Sequence, residues 1–225
     1  MNLRILVADD HEVVRQGLCA LLAARAGWEV CGEASDGIET VRKTAELKPD
    51  IVVLDVGMPN LNGLAATRQI TKRDPNQKVI ILTVTDAEEV IREALESGAR
   101  GFVLKSDAAR DLVTAIEALQ VGRTFFTPRV SEMLLNGYLR GSGKQAPQLP
   151  TLTSREKEIV QLLAEGKSTK EVASVLNIST KTAETHRANV MRKLDMHSVS
   201  ELVLYAVRNN IVQVHRPPNS AAGAK

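Results

Sequence analysis

Ile51-Val52-Val53-Leu54-Asp55-Val56-Gly57-Met58-Pro59, closed by Asn62-Gly63, is the stretch from which the fold is read. Four consecutive aliphatic residues suit a strand covered on both faces, as in a parallel sheet, and the run ends on a carboxylate followed by turn residues. Asp55 is therefore expected at the carboxyl end of a central strand, the edge where open α/β sheets bind their ligands. It reads as the acceptor of a phosphoryl group, with most other segments building its pocket or reporting its state.

Working outward, apolar strand patterns recur at 3–8, 29–32, 78–83 and 101–104 on either side of 51–55. Helical spacing fills the intervals at 12–24, 38–47, 64–72, 88–97 and 108–121, with Gly98 and Gly122 as C-terminal caps. Strands alternating with helices imply parallel pairing through right-handed crossovers. Five such units predict a flavodoxin-like (βα)5 fold of strand order 2-1-3-4-5.

The polar residues that close these strands share one sheet edge: Asp9 and Asp10 after the first, Asp55 after the third, Thr83 after the fourth, Lys105 after the fifth. Crowded carboxylates repel one another unless a cation is present. Mg2+ suits the set, since it binds hard oxygens through one or two carboxylates and a phosphate while keeping several waters. The Thr83 hydroxyl and the Lys105 ammonium would hold the oxygens of a phosphoryl group on Asp55, and phosphoryl transfer asks mainly for such positioning. Singly, each residue has a structural role open to it: Asp as turn former, Thr as strand former, Phe102 as core. Together on one edge they point to function. His11, just after the Asp pair, reads as a surface residue.

The motifs Ile5-Leu6-Val7-Ala8-Asp9-Asp10-His11, Leu54-Asp55-Val56-Gly57-Met58-Pro59, Val79-Ile80-Ile81-Leu82-Thr83 and Gly101-Phe102-Val103-Leu104-Lys105 resemble the receiver domain of two-component response regulators, over residues 3 to about 122. The resemblance implies that Asp55 is the phosphoacceptor, that Asp9 and Asp10 help hold Mg2+, and that the Gly57 backbone carbonyl is a further ligand. It also implies a switch in which the Thr83 hydroxyl turns to the phosphoryl group and the Phe102 ring fills the space left. Two positions depart from the commonest pattern. Val84 is branched where many receivers carry a smaller residue, and Gly57 offers no side chain.

Charge divides the chain. Residues 1–140 hold 17 Lys+Arg and 20 Asp+Glu, net −3, whereas 151–225 hold 11 and 7, net +4. An acidic half joined to a basic half suggests a regulatory domain tethered to one that meets a polyanion. A short helix is expected at 131–139, and the Gly, Ser, Gln and Pro of 140–150 read as a flexible tether. The expected organisation is thus a receiver at 1–125, helix and linker at 126–150, a second domain at 151–214, and a tail at 215–225 that is expected to be disordered.

In the second domain, Thr153 with Glu156, Ser168 with Glu171 and Ser198 with Glu201 each fit a capping box. Ser179 can cap a fourth helix running to about Leu194, and Gly166 ends the first. Residues Ile159, Leu162, Leu163, Val172, Val175, Leu176, Ala183, Val190, Leu194, Leu202 and Val203 give each helix an inward stripe. Helices 168–176 and 179–194, turning at Asn177-Ile178, form a helix-turn-helix in a small all-α four-helix unit. With Ala183, Val190 and Leu194 inward, positions 181, 184, 185, 188 and 192 face outward and could enter a major groove.

The run Leu152-Thr153-Ser154-Arg155-Glu156, Lys170-Glu171-Val172-Ala173, Lys181-Thr182-Ala183-Glu184-Thr185-His186 and Arg192-Lys193-Leu194 resembles the LuxR-type DNA-binding domain over about 150–212. With the receiver in front, the whole resembles a response regulator of the NarL/FixJ subfamily. That resemblance points to Glu184, Thr185 and Ala188 as base-facing and to Lys181, Thr182, Arg187, Arg192 and Lys193 as phosphate contacts on double-stranded DNA. It assigns a dimer face to the last helix, with Leu202, Tyr205 and Ala206 as candidates. Its partners would be a sensor histidine kinase, a second copy of the chain and, possible among them, RNA polymerase. Ala183 stands where a larger Val is frequent.

These readings describe a phosphorylation-dependent transcriptional regulator, not an enzyme. An aspartyl-nucleophile phosphatase would typically place a second acid two residues after the nucleophile, where Gly57 stands. A nucleotide or flavin module would need a glycine-rich loop after the first strand, where Asp9-Asp10-His11-Glu12 stand. A regulator working without phosphate is disfavoured by the complete Asp9, Asp10, Asp55, Thr83 and Lys105 set. The start of the chain is too short in apolar run for a signal peptide, and no run approaches the ~20 apolar residues of a membrane span. A cytoplasmic protein is expected, with Cys19 and Cys31 reduced in the core.

Overall fold

The computed structural model describes residues 2–127, 130–132 and 152–212. The first part alternates β1 (Leu3–Ala8), α1 (Glu12–Ala23), β2 (Trp28–Ala34), α2 (Gly37–Leu47), β3 (Ile51–Asp55), α3 (Gly63–Arg73), β4 (Lys78–Thr83), α4 (Glu88–Glu96), β5 (Gly101–Leu104), α5 (Ala108–Gln120) and β6 (Phe125–Phe126). All strands are parallel, in the order β2-β1-β3-β4-β5-β6. The expected 2-1-3-4-5 order is present, with one strand more. Phe125 and Phe126 pair with Gly101 and Phe102, so the chain leaves the sheet from a two-residue edge strand rather than from α5.

β3 is buried at every residue, and its side chains divide by parity. Ile51 and Val53 join Leu18, Leu22, Leu112 and Ile116 under α1 and α5. Val52 and Leu54 join Val41, Ala66, Ile70, Val90 and Ile91 under α2, α3 and α4. A strand covered on both faces needs no polar alternation, hence the unbroken aliphatic run. Local chemistry sets the helix ends: Asp36 and Asn62 accept the amides of Glu39 and Ala65, and Gly98 and Gly122 take φ of 93° and 77° past the ends of α4 and α5.

The second part holds α6 (Ser154–Ala164), α7 (Thr169–Val175), α8 (Thr180–Lys193) and α9 (Val199–Arg208) around their own core of Ile159, Leu162, Val172, Ala183, Val190 and Leu202. All three expected capping boxes are formed, and Ser179 accepts the amide of Thr182 at 3.0 Å. Ala183 is fully buried, so the smaller residue is packed over. Cys19 and Cys31 are half-buried free thiols, and burial pushes Cys19 up to about 11, where the nucleophilic thiolate is scarce at neutral pH. Apart from residues 131 and 132, the helix expected at 131–139, the linker and the tail from 215 lie outside the described residues.

Candidate functional site

At the carboxyl edge of the sheet, Asp9 and Asp55 are both 0% exposed. The Lys105 ammonium lies 2.9 Å from Asp9 Oδ2 and 3.0 Å from Asp55 Oδ2, bridging the ends of β1, β3 and β5. Burial raises the Asp55 pKa above the ordinary carboxylate value, with Lys105 opposing and Asp9 reinforcing. Burial works against the Lys105 charge, yet Asp55 and Asp9 outweigh it and hold its pKa above the usual value. The site is a strongly charged triad held in a dry place.

Backbone packing fixes the loop below it. A Cβ on Gly63 would lie 2.0 Å from the Asp55 carbonyl oxygen, so only glycine lets α3 start this close to the end of β3. The Gly63 amide donates to Val56 O at 2.9 Å, and Asn60 takes φ of 64° to turn the chain between them.

Asp9, Asp10, His11 and Asp55 offer ligand atoms all within 4.8 Å of one another. Each carboxylate oxygen carries two lone pairs, so the fully buried Asp55, held by Lys105 at 3.0 Å, can still ligate a cation. The three carboxylates of this set are hard-oxygen ligands and fit a Mg2+ ion. The His11 side chain is partly exposed, as expected of a surface residue, but its Nδ1 lies 2.9 Å from Asp10 Oδ1 and 3.4 Å from Asp9 Oδ1.

Thr83 is fully buried at the end of β4, one position beyond the Asp55 partner Leu82, and its hydroxyl accepts the Thr85 amide at 3.2 Å. Phe102 is buried in the cluster that includes Val90, Ile91 and Ala94 of α4. Val84 stands 65% exposed beside the site.

On the second domain, Lys181, Thr182, Glu184, Thr185, Ala188 and Arg192 of α8 are all exposed. The other two expected phosphate contacts are engaged within the domain. Arg187 donates to Thr169 Oγ1 at 3.2 Å, and Lys193 Nζ lies 2.8 Å from Glu156 Oε2. The expected dimer residues need correction: Leu202 and Ala206 are 1% and 0% exposed because they pack into the domain's own core, and Tyr205 is half-buried. The apolar residues that α9 and its start turn outward are Val199 and Leu204.

The sequence reading missed the contact between the two halves. Gln161 of α6 donates to Met58 O at 2.9 Å and accepts the Asn62 amide at 2.9 Å. Glu165 accepts the Asn60 amide at 3.2 Å, and Lys157 Nζ lies 2.6 Å from Glu93 Oε2 on α4. A sequence signal existed. Ile159-Val160-Gln161-Leu162-Leu163 is apolar through five positions but one, too wide for a helix covered on one side only.

Comparison with known proteins gives two family matches. Residues 5–117 match the response regulator receiver domain, and residues 150–206 match the bacterial regulatory proteins of the luxR family. The transcriptional regulatory protein LiaR of Bacillus subtilis is 40% identical over 210 residues, covering 93% of this chain and 99% of that one. The oxygen regulatory protein NreC of Staphylococcus carnosus is 35% identical over 215 residues, covering 93% and 99%. Among solved structures, Salmonella typhimurium RcsB aligns with a TM-score of 0.65 at 27% identity, over 92% of this chain and 98% of that one. RcsB from Salmonella enterica serovar Typhimurium bound to a promoter in the presence of the phosphomimetic BeF3− aligns with a TM-score of 0.61 at 28% identity, over 91% and 98%. Among the described residues no helix is long and apolar enough to cross a membrane.

Proposed function

The chain belongs to the bacterial response regulators that join a receiver domain to a LuxR-family DNA-binding domain, and from that premise we propose that a phosphoryl group on Asp55 is its switch. It is a phosphorylation-dependent, DNA-binding regulator of transcription. A sensor histidine kinase is the donor that a receiver implies, and a cytoplasmic location suits a regulator that meets both kinase and chromosome. The observation that carries the assignment is the complete burial of Asp55 beside Asp9, with one ammonium within 3.0 Å of both.

In the transfer, an Asp55 oxygen forms the bond to phosphorus as the phosphorus–nitrogen bond of the donor phosphohistidine breaks, and the departing imidazole keeps the electron pair. Lys105 moves its charge from the carboxylates to the phosphoryl oxygens, which positions the product without a general base. The Thr83 hydroxyl exchanges the Thr85 amide for a phosphoryl oxygen, and Phe102 repacks against α4. Asp10, Asp55 and the Gly57 carbonyl, with Asp9 beside them, would hold Mg2+, which when bound supplies positive charge to offset that of the phosphoryl group.

The exposed face of α8 then reads DNA, with Glu184, Thr185 and Ala188 toward bases and Lys181, Thr182 and Arg192 toward phosphates. Lys193 and Arg187 would join the phosphate contacts by leaving Glu156 and Thr169. Two copies meet through α9, where Val199 and Leu204 are the exposed apolar residues and Tyr205 flanks them.

Acetyl phosphate with Mg2+ is expected to label the wild-type chain and not Asp55→Asn. Equal labelling of both overturns the assignment.

A further inference from the structure

Gln161 is 1% exposed although it lies on the surface helix of a separate domain. Its amide uses both donor hydrogens and one acceptor direction: Nε2 donates to Met58 O at 2.9 Å and to Glu165 Oε1 at 2.7 Å, while Oε1 accepts the Asn62 amide at 2.9 Å. Glu165 in turn accepts the Asn60 amide at 3.2 Å. One turn of α6 therefore binds alternate backbone groups of the loop that carries Gly57.

Between the two halves lies a cavity of about 120 Å3, bounded by Asp10, Gly57, Met58 and Pro59 on one side and by Gln161, Glu165, Ile211 and Val212 on the other. That volume admits a few waters or a small free molecule, whereas an imidazole presented on another protein's helix would need that helix, about 10–12 Å across, in the space the docked domain occupies. Meanwhile Lys181, Glu184, Thr185, Ala188 and Arg192 all stay exposed. The docked domain covers the acceptor edge and leaves its DNA-reading face open.

We propose that Gln161 is a latch residue outside the acceptor site, through which the DNA-binding domain grips the Met58–Asn62 loop and shuts out a protein phosphodonor while leaving small donors access. The proposal rests on the reading of Asp55 as acceptor. Kinase and DNA-binding domain compete for one edge, so undocking comes before transfer from the kinase. A second tie joins the same device: Glu93, which pairs with Lys157, sits on α4 beside Val90, Ile91 and Ala94, the residues that share a cluster with Phe102. Repacking of Phe102 after transfer loosens this tie and keeps the domain from re-docking.

The experiment compares two donors on the full-length chain: acetyl phosphate, and the phosphorylated core of a sensor histidine kinase that labels the wild type. Gln161→Ala should raise labelling by the kinase core about fivefold or more, the lower end of ordinary coupling between sites, and change acetyl phosphate labelling less than about twofold. Its unphosphorylated DNA affinity should stay within about twofold of wild type, because the latch does not cover α8. Conversely, Asn60→Cys with Glu165→Cys, joined by a short thiol cross-linker, should block the kinase core, keep acetyl phosphate labelling and keep DNA binding. Equal acceleration with both donors, an unchanged ratio in Gln161→Ala, undiminished kinase labelling of the cross-linked chain, or a tenfold gain in unphosphorylated DNA affinity overturns it. Label retained by Asp55→Asn strikes the acceptor assignment itself, which separates that failure from failure of the latch.

Discussion

Asp55 and Glu184 are both carboxylates offered to a phosphate-bearing partner, yet one is fully buried at the end of a central strand and the other is 55% exposed on α8, 3.7 Å from Lys181. For Asp55, folding itself strips away water, so the site meets its ligand already dehydrated and held by Lys105. For Glu184, water stays until DNA displaces it, and its pair with Lys181 is a surface ion pair worth about 0–1 kcal/mol. Leaving such a partner for a base edge costs little. The first site stores its specificity in the fold; the second acquires its own only in the complex.

That contrast breaks most readily at Lys105. Lys105→Met leaves Asp9 and Asp55 buried without their cation, so the chain should lose about 3 kcal/mol in metal-free urea unfolding and recover much of it in Mg2+. Equal stability of variant and wild type in metal-free buffer would mean that Lys105 does not offset the two buried carboxylates. Next comes Gly63→Ala, whose Cβ would lie 2.0 Å from the Asp55 carbonyl oxygen. Overpacking at that backbone contact should cost about 2 kcal/mol and impair labelling of Asp55, and a variant with native stability and native labelling would refute the close approach.

On the exposed side, effects should appear in binding and not in stability. Glu184→Ala is expected to alter base preference by about 1–2 kcal/mol at one position in a binding selection, with an unchanged unfolding curve. Arg192→Ala should weaken binding to all sequences alike, by about 1 kcal/mol, and lower the salt slope by about one. A shift in sequence preference from Arg192→Ala instead would exchange their roles.

The smallest effect expected comes from pH. Burial raises the Glu156 pKa, but Lys193 and the Thr153 cap outweigh it and leave the folded value below the ordinary one. Its contribution is therefore present above the unfolded carboxylate value and lost as pH falls through the folded one. Glu156→Gln should reduce stability by about 0.5 kcal/mol at neutral pH and by less in acid, as unfolding at the two pH values would show.

Much of the fold was legible because each signal was local or strictly periodic. The aliphatic run of β3, the capping boxes at Thr153, Ser168 and Ser198, and the polar residues ending β1, β3, β4 and β5 all declare themselves within a few residues. β6 did not, since Phe125 and Phe126 are too short for a period and owe their strand to a partner 24 residues earlier. Gln161 was hidden for another reason. A polar residue inside an apolar run is silent about what covers it, and here the cover comes from a loop about 100 residues away. On α9 helical spacing placed Leu202 inward, as found, but Ala206, expected on a dimer face, is buried in the core, and Leu204 is an apolar residue that faces outward.

The capping boxes carry one more consequence, for the time course of folding. Helices that satisfy their own ends and pack on sequence neighbours assemble through short loops, whereas a parallel sheet must close every crossover before its strands pair. The α6–α9 unit should therefore reach its native form while the β3–α3 loop is still forming. For a brief interval after each folding event, the chain carries a finished DNA-reading helix before it has an acceptor edge for the latch to cover.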